Sequence, residues 1–185
     1  NKPYHVIAFI CLFFAGIGLI WHKVYAKENF SLVKNVDWHT FFFLIGVFML
    51  IGALSYSGII KDIAGWISSL TNGNLFLTFT LIVWMSVLFS AFIDNIPYVT
   101  AMIPVANILA SDMGARPELL LFGLLIGATL GGNITPIGAS ANIVSIGMLR
   151  DRGYAVGFRD FIKIGLPFTL AAVSAAYIFL WFTWR

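Results

Sequence analysis

Long apolar runs alternate with short polar interruptions along this chain, and the length of each run limits what it can become. A helix that crosses the hydrocarbon core needs ~20 apolar residues. Residues 4–21, 39–60 and 164–184 meet that requirement without a break. Tyr4, Trp21, Trp38, Trp181 and Trp184 fall at or beside their ends, where interfacial aromatics belong.

Two further segments are interrupted. The run 75–93 is followed by Asp94-Asn95-Ile96-Pro97, which has the composition of a surface turn, and then by a second apolar run, 98–110. A return run of about 13 residues gives only ~20 Å of helix against ~30 Å of hydrocarbon, and Pro104 weakens it further. The pattern predicts a re-entrant helical hairpin that enters and leaves on one side. The segment 118–150 is broken by GGNITPIGASAN, from Gly131 to Asn142. Glycine loosens the backbone and Pro136 lacks an N–H, so a discontinuous helix is expected, with halves at 118–130 and 137–149. The stretches 57–70 and 150–163 mix charges with apolar residues and are expected to lie in the interface plane. The resulting division is 1–73 (scaffold spans and an interfacial helix), 74–149 (hairpin and broken helix) and 150–185 (interfacial helix and last span).

Composition agrees with a bilayer setting. Of 185 residues, 60% are hydrophobic and 10% charged, with a mean hydropathy of +0.93. A soluble domain carries roughly 25% charge. The expected fold class is an all-α polytopic membrane protein: three full spans, a re-entrant hairpin and a discontinuous helix. The chain starts at Asn1 and shows no cleavable leader pattern, which is the expectation for a fragment boundary. Cys11 is the sole cysteine, so neither a disulfide framework nor a thiolate metal cluster is expected. A net charge of +3 implies no nucleic-acid partner.

The positions of the few cations matter more than their sum. With a same-sided hairpin, one face receives seven cations, Lys23, Lys27, Lys34, Arg150, Arg152, Arg159 and Lys163, and the other four, Lys2, Lys61, Arg116 and Arg185. The richer face is expected to be cytoplasmic, with both chain ends outside, in an inner or plasma membrane.

Irregular backbone survives at membrane depth only where it packs in protein or lines a polar cavity. Two breaks supply one cavity with four helix ends. Carbonyl ends suit cations and amino ends suit anions. Among the acids, Glu28, Asp37, Asp62, Asp112, Glu118, Asp151 and Asp160 fall in predicted loops or interfacial stretches; Asp94 alone falls at depth. A carboxylate there costs roughly 2.5–3.5 kcal/mol on insertion scales. It is expected to be protonated, bound to a cation, or paired with a group from outside the chain. The competing reading makes Asp94 an Asx-turn cap for the helix beginning near Pro97, and Asn133 and Thr135 local caps of the broken helix.

Candidate ion- or substrate-binding groups are Ser90, Asp94, Asn95, Thr129, Asn133, Thr135, Ser140 and Asn142. Pro97, Gly131, Gly132 and Pro136 shape the breaks. Asp94, Asn95 and Asn133 are the candidate Na⁺ ligands, hard oxygen donors unsuited to soft metals. Thr100 reads as a hydroxyl bonded back into its own helix, and Gly123, Gly127 and Gly131 as a ladder for close helix approach. His5, His22 and His39 sit near span ends as interfacial residues. No cofactor is expected beyond Na⁺ or H⁺ as coupling ion.

SAFIDNIPYVTAMIPV (90–105), GGNITPIGASANIVSIG (131–147) and VDWHTFFFLIGVFMLIGAL (36–54) together resemble the arsenite-permease and Na⁺/H⁺-antiporter branch of the ion transporter superfamily, which is citrate-transporter-like and includes the pink-eyed-dilution P proteins. The resemblance runs from about Val36 to the end of the chain. It implies two inverted repeats, of which this chain is similar to the C-terminal one, with substrate between hairpin tip and break and an elevator-type motion. The missing half would be a separate chain, a second copy in a homodimer, or the rest of a longer protein. The divalent-anion:sodium symporters, more distant relatives, carry Ser-Asn-Thr at the tip. Here Asn95 matches, while Asp94 and Ile96 replace the Ser and Thr, which disfavours a dicarboxylate substrate.

Other classes fit less well. An intramembrane aspartyl protease needs two aspartates at depth, and a serine protease needs a histidine beside Ser90 or Ser140. A non-enzymatic role follows. A channel or a purely structural subunit remains the alternative to a carrier.

Overall fold

Helices form where the runs are apolar and stop where Gly, Pro and Asn gather. A computed structural model describes residues 4–25 and 38–185, and all regular structure among them is helical. In chain order the helices are α1 (Tyr4–Tyr25), α2 (Trp38–Tyr56), α3 (Ile59–Thr71), α4 (Leu75–Ser90), α5 (Asn95–Asp112), α6 (Pro117–Gly131), α7 (Ser140–Asp151) and α8 (Phe158–Trp184). Two units divide the chain, Asn1–Phe43 and Leu44–Arg185. The first holds α1 and the opening turns of α2; the second holds the rest. Lys2, Lys27, Lys34, Glu28 and Asp37 lie outside the described residues, as do the side chains of Tyr4, His5, His22 and Lys23.

Several boundaries differ from the sequence reading. The run 39–60 does not continue as one helix, because Gly58 adopts φ 85° after Tyr56. The segments Phe41–Tyr56 and Ile59–Thr71 are bent by 68° there, and together they are apolar and long enough to cross a membrane. By length and composition α8 passes that test alone, at 27 residues. The stretch 150–163 is not one interfacial helix. α7 ends at Asp151, 154–157 are irregular, and Phe158 already begins α8, so the helix expected over 164–184 starts six residues earlier. Asp160 accepts from Gly157 N at 3.3 Å and caps that early start. The return arm is also longer than predicted. α5 has 18 residues, about 27 Å, because Pro97 sits in its first turn, where no intrahelical N–H is needed. The helix passes through Pro104 without ending. The break itself covers 132–139, and its second half begins at Ser140 rather than 137.

The core is built around α6, which packs on α4, α5 and α8. Its buried positions, Leu119, Leu120, Gly123, Leu124, Gly127, Ala128 and Gly131, recur every three or four residues and form one helical face. A Cβ on Gly127 would lie 2.5 Å from Val83 O, and one on Gly131 2.5 Å from Val87 O. The glycine ladder therefore lets α6 rest on the backbone of α4. α3 closes the far side with Ile60, Ala64 and Ile67, and Phe79 stacks between Tyr177 and Trp181 of α8. By contrast α7 has no buried residue.

Candidate functional site

The hairpin tip and the helix break meet. A Cβ on Gly132 would lie 3.0 Å from Gly138 O and 3.3 Å from Asn95 Oδ1, and one on Gly138 would lie 2.6 Å from Gly132 O and 3.0 Å from Ala91 O. Only bare backbone allows that approach. Four helix ends converge here: the carboxyl ends of α4 and α6, and the amino ends of α5 and α7.

Two fully buried hydroxyls cross-link the pieces. Ser90, at the end of α4, donates to Ala128 O of α6 at 2.5 Å, and Thr135 in the break donates to Ala91 O beyond α4. Ser90 Oγ also lies against the Asn95 amide. One hydroxyl proton cannot serve both acceptors, and the two ends of an amide are interchangeable. With the amide oriented so that Nδ2 donates to Ser90 Oγ, Ser90 donates to Ala128 O and Asn95 Oδ1 is left as a free acceptor at the tip. Asn142 donates to Gly132 O at 2.9 Å and Thr135 O at 3.1 Å, tying α7 to the break. Thr169 of α8 donates to Leu130 O at 3.3 Å. Much of the carbonyl end expected to face a cation is therefore already accepting from side chains.

Asp94 is the N-cap of α5, with Oδ1 accepting from Ile96 N at 3.4 Å. Its other oxygen accepts from Ser140 Oγ, in the first turn of α7, at 3.3 Å. The cap geometry of the competing reading is thus present, and the acid also bridges the amino ends of two helices. Both helix amino ends turn their positive dipole ends toward this side chain. Asp94 and Asn95 are half-buried, and Ser140 is exposed. Among the described residues no cluster of three or more His, Cys, Asp or Glu surrounds them, so a cation here would be held by one carboxylate with amide, hydroxyl and carbonyl oxygens.

Thr129 is not brought into this group. It is exposed and bonds back to Leu125 O at 2.5 Å, as Thr100 does to Ile96 O at 2.6 Å. Asn133 belongs to the break but its side chain makes no hydrogen bond among the described residues; it lines a separate cleft with Gly165 and Phe168. Gly165 is a residue that sequence reasoning missed. A Cβ there would lie 2.2 Å from Asn133 O, so α8 passes directly over the break. A lone glycine inside an apolar run was its only signal.

The crossed hydroxyls predict unequal effects. Thr135→Val keeps the shape but strips Ala91 O of its donor, and should cost about 1–3 kcal/mol. Thr129→Val, at an exposed back-bonded position, should stay within about 0.5 kcal/mol. Thermal unfolding of the full-length protein in micelles measures both, and equal costs would deny Thr135 its cross-linking role.

The sequence pattern of the family described as citrate transporter matches residues 1–127. The chain belongs to that family. It is therefore an integral membrane protein of a transporter class rather than an enzyme. An uncharacterized transporter of Mycobacterium tuberculosis is 37% identical over 174 residues, covering 93% of this chain and 40% of that relative. A 46 kDa membrane protein of Mycobacterium leprae is 34% identical, covering 90% of this chain and 39% of the relative. The human P protein is 34% identical over 175 residues, 90% of this chain and 21% of the relative. The chain thus spans about two-fifths of the mycobacterial relatives' length. No solved structure matches it.

Proposed function

We propose that this chain is one repeat of a secondary active carrier that moves an inorganic ion or small anion, coupled to Na⁺ or H⁺ through Asp94. The observation that carries the reading is the junction itself: Asp94 at the hairpin tip meets Ser140 at the break, 46 residues away. Discontinuous helices whose ends converge on one polar spot are the recurring binding device of secondary transporters. Asp94, with the Asn95 amide and the Ser140 hydroxyl beside it, forms the part of the junction that takes the coupling ion, and Asn133, which lines the separate cleft, is left out of it. Ser90, Thr135 and Asn142 act as its frame.

The hairpin is re-entrant in this reading, and 74–149 moves as an elevator-type body past the scaffold spans that precede it, together with α3, whose Ile60, Ala64 and Ile67 are buried in the same core. The segment 150–185 travels with it, because Gly165 and Thr169 bind α8 to the break and to α6. The family's printed name refers to citrate. A fixed carboxylate at the tip repels a tricarboxylate and favours smaller or cationic cargo. The seven-cation face lies in the cytoplasm of an inner or plasma membrane, with the chain ends outside. The partner is an N-terminal repeat in the longer protein or a second copy, and the assembly is a homodimer.

Full-length protein in proteoliposomes should take up radiolabelled sodium saturably when a pH gradient is imposed, and release protons in return. Unitary conductance steps without any gradient-driven exchange would assign a channel instead and reject the carrier.

A further inference from the structure

The first turns of α8 and the loop before it border two adjoining hollows outside the Asp94–Ser140 junction. An open apolar cleft of about 810 Å³ runs beside α8, lined by Leu149, Val156, Phe161, Ile164 and Phe168 together with Asn133. A smaller hollow of about 260 Å³ adjoins it, lined by Arg150 and by residues 153–157. Ala155 and Val156 belong to both, so the two spaces share a wall. The amides of Ala155 and Val156 donate to no acceptor among the described residues, and Arg150 makes no ion pair there. Arg152, Arg159 and Lys163 lie in the same segment, are exposed and are likewise unpaired among the described residues. The one carboxylate lining the cleft, Asp160, already accepts from Gly157 N.

We propose that this composite site binds one anionic phospholipid, its phosphate in the hollow at Arg150 and an acyl chain along the apolar cleft. Position supports the assignment. At 27 residues α8 is about 40 Å long and exceeds the ~30 Å hydrocarbon core. With Trp181 and Trp184 marking one interface, its first turns reach the headgroup layer at the other. Basic pockets beside membrane helices recognise anionic headgroups, each cation adding to the attraction. A polar hollow opening onto an apolar cleft matches the two halves of a lipid, whereas a free inorganic ion would leave the cleft unfilled. Lipid in the cleft would lie against the break at Asn133 and Gly165, giving membrane composition access to the moving parts.

Native mass spectrometry of the full-length protein, equilibrated with equal phosphatidylglycerol and phosphatidylcholine in micelles, tests this. The wild type should retain one phosphatidylglycerol per chain in preference to phosphatidylcholine. Arg150→Gln should weaken that retention about fivefold, the expected effect of removing one surface cation, while Lys61→Gln should not. Arg159→Gln provides a second reading should Arg150→Gln fail to fold. Absence of preference in the wild type, equal loss in Lys61→Gln, or displacement of the lipid by millimolar inorganic phosphate would each overturn the proposal, the last assigning a simple anion site.

Discussion

Gly165→Ala should destabilise the full-length protein by about 1–3 kcal/mol or more, although the same change in an ordinary helix interior stabilises by about 1 kcal/mol. The sign reverses because the added methyl would sit 2.2 Å from the carbonyl oxygen of Asn133 and 3.2 Å from that of Ile134. Neither neighbour is the flexible end of a side chain. Both are backbone of the break, held in place by Asn142 and the Thr135–Ala91 contact. Either α8 moves outward and loses Thr169 from Leu130 O, or the break shifts and takes Asn133 with it. Transport should therefore fall as well as stability. Gly147→Ala is the matched control: it lies in α7 with nothing within 4 Å of an added Cβ and should gain up to about 1 kcal/mol. Thermal unfolding in micelles reads both variants. A Gly165→Ala protein as stable as Gly147→Ala would show that α8 does not rest on the break.

Asp94→Asn should leave the protein folded and abolish coupled transport. Asparagine caps a helix about as well as aspartate, so α5 keeps its start, and the amide oxygen can still accept from Ile96 N or Ser140. Folding should change by no more than about 1 kcal/mol, since the lost dipole attraction at two helix amino ends is offset by cheaper burial of a neutral group. What disappears is the charge for which, in the proposed mechanism, Na⁺ and H⁺ compete. Sodium uptake driven by a pH gradient should drop to the level of empty liposomes. Asp112→Asn is the control, an exposed acid at the end of α5 whose loss should change nothing. An Asp94→Asn carrier with unaltered dependence on sodium and pH would make Asp94 a helix cap and nothing more.

Much of this could be read along the chain because the deciding features are local. Gly131-Gly132 and Pro136, gathered within six residues with Asn133 and Thr135, interrupt a helix through their own backbone preferences, and the long apolar runs require lipid or a core. The isolated Asp94 was visible for the same reason. Boundaries that depend on a subtler balance were misplaced. Asp-Asn-Ile-Pro looks like a turn, yet a capped helix accommodates proline in its first turn, so α5 begins at Asn95. In 150–163 the charges suggested an interfacial helix, whereas Gly153 at φ 85° ends α7 and the Asp160 cap starts α8.

The sequence by itself determined the membrane setting, the helical class, both breaks and the acid at the hairpin tip, since each follows from residue type and short-range spacing. Tertiary structure alone decided which polar groups serve the junction. Thr129 and Thr135 are chemically alike and six positions apart, yet one turns back to its own helix and the other bonds Ala91, 44 residues away. A hydroxyl takes whichever carbonyl lies within reach, and that depends on how closely two backbones approach. Glycines at 127, 131, 132, 138 and 165 permit the approach here, and their effect emerges only when the partner strand of chain is in place.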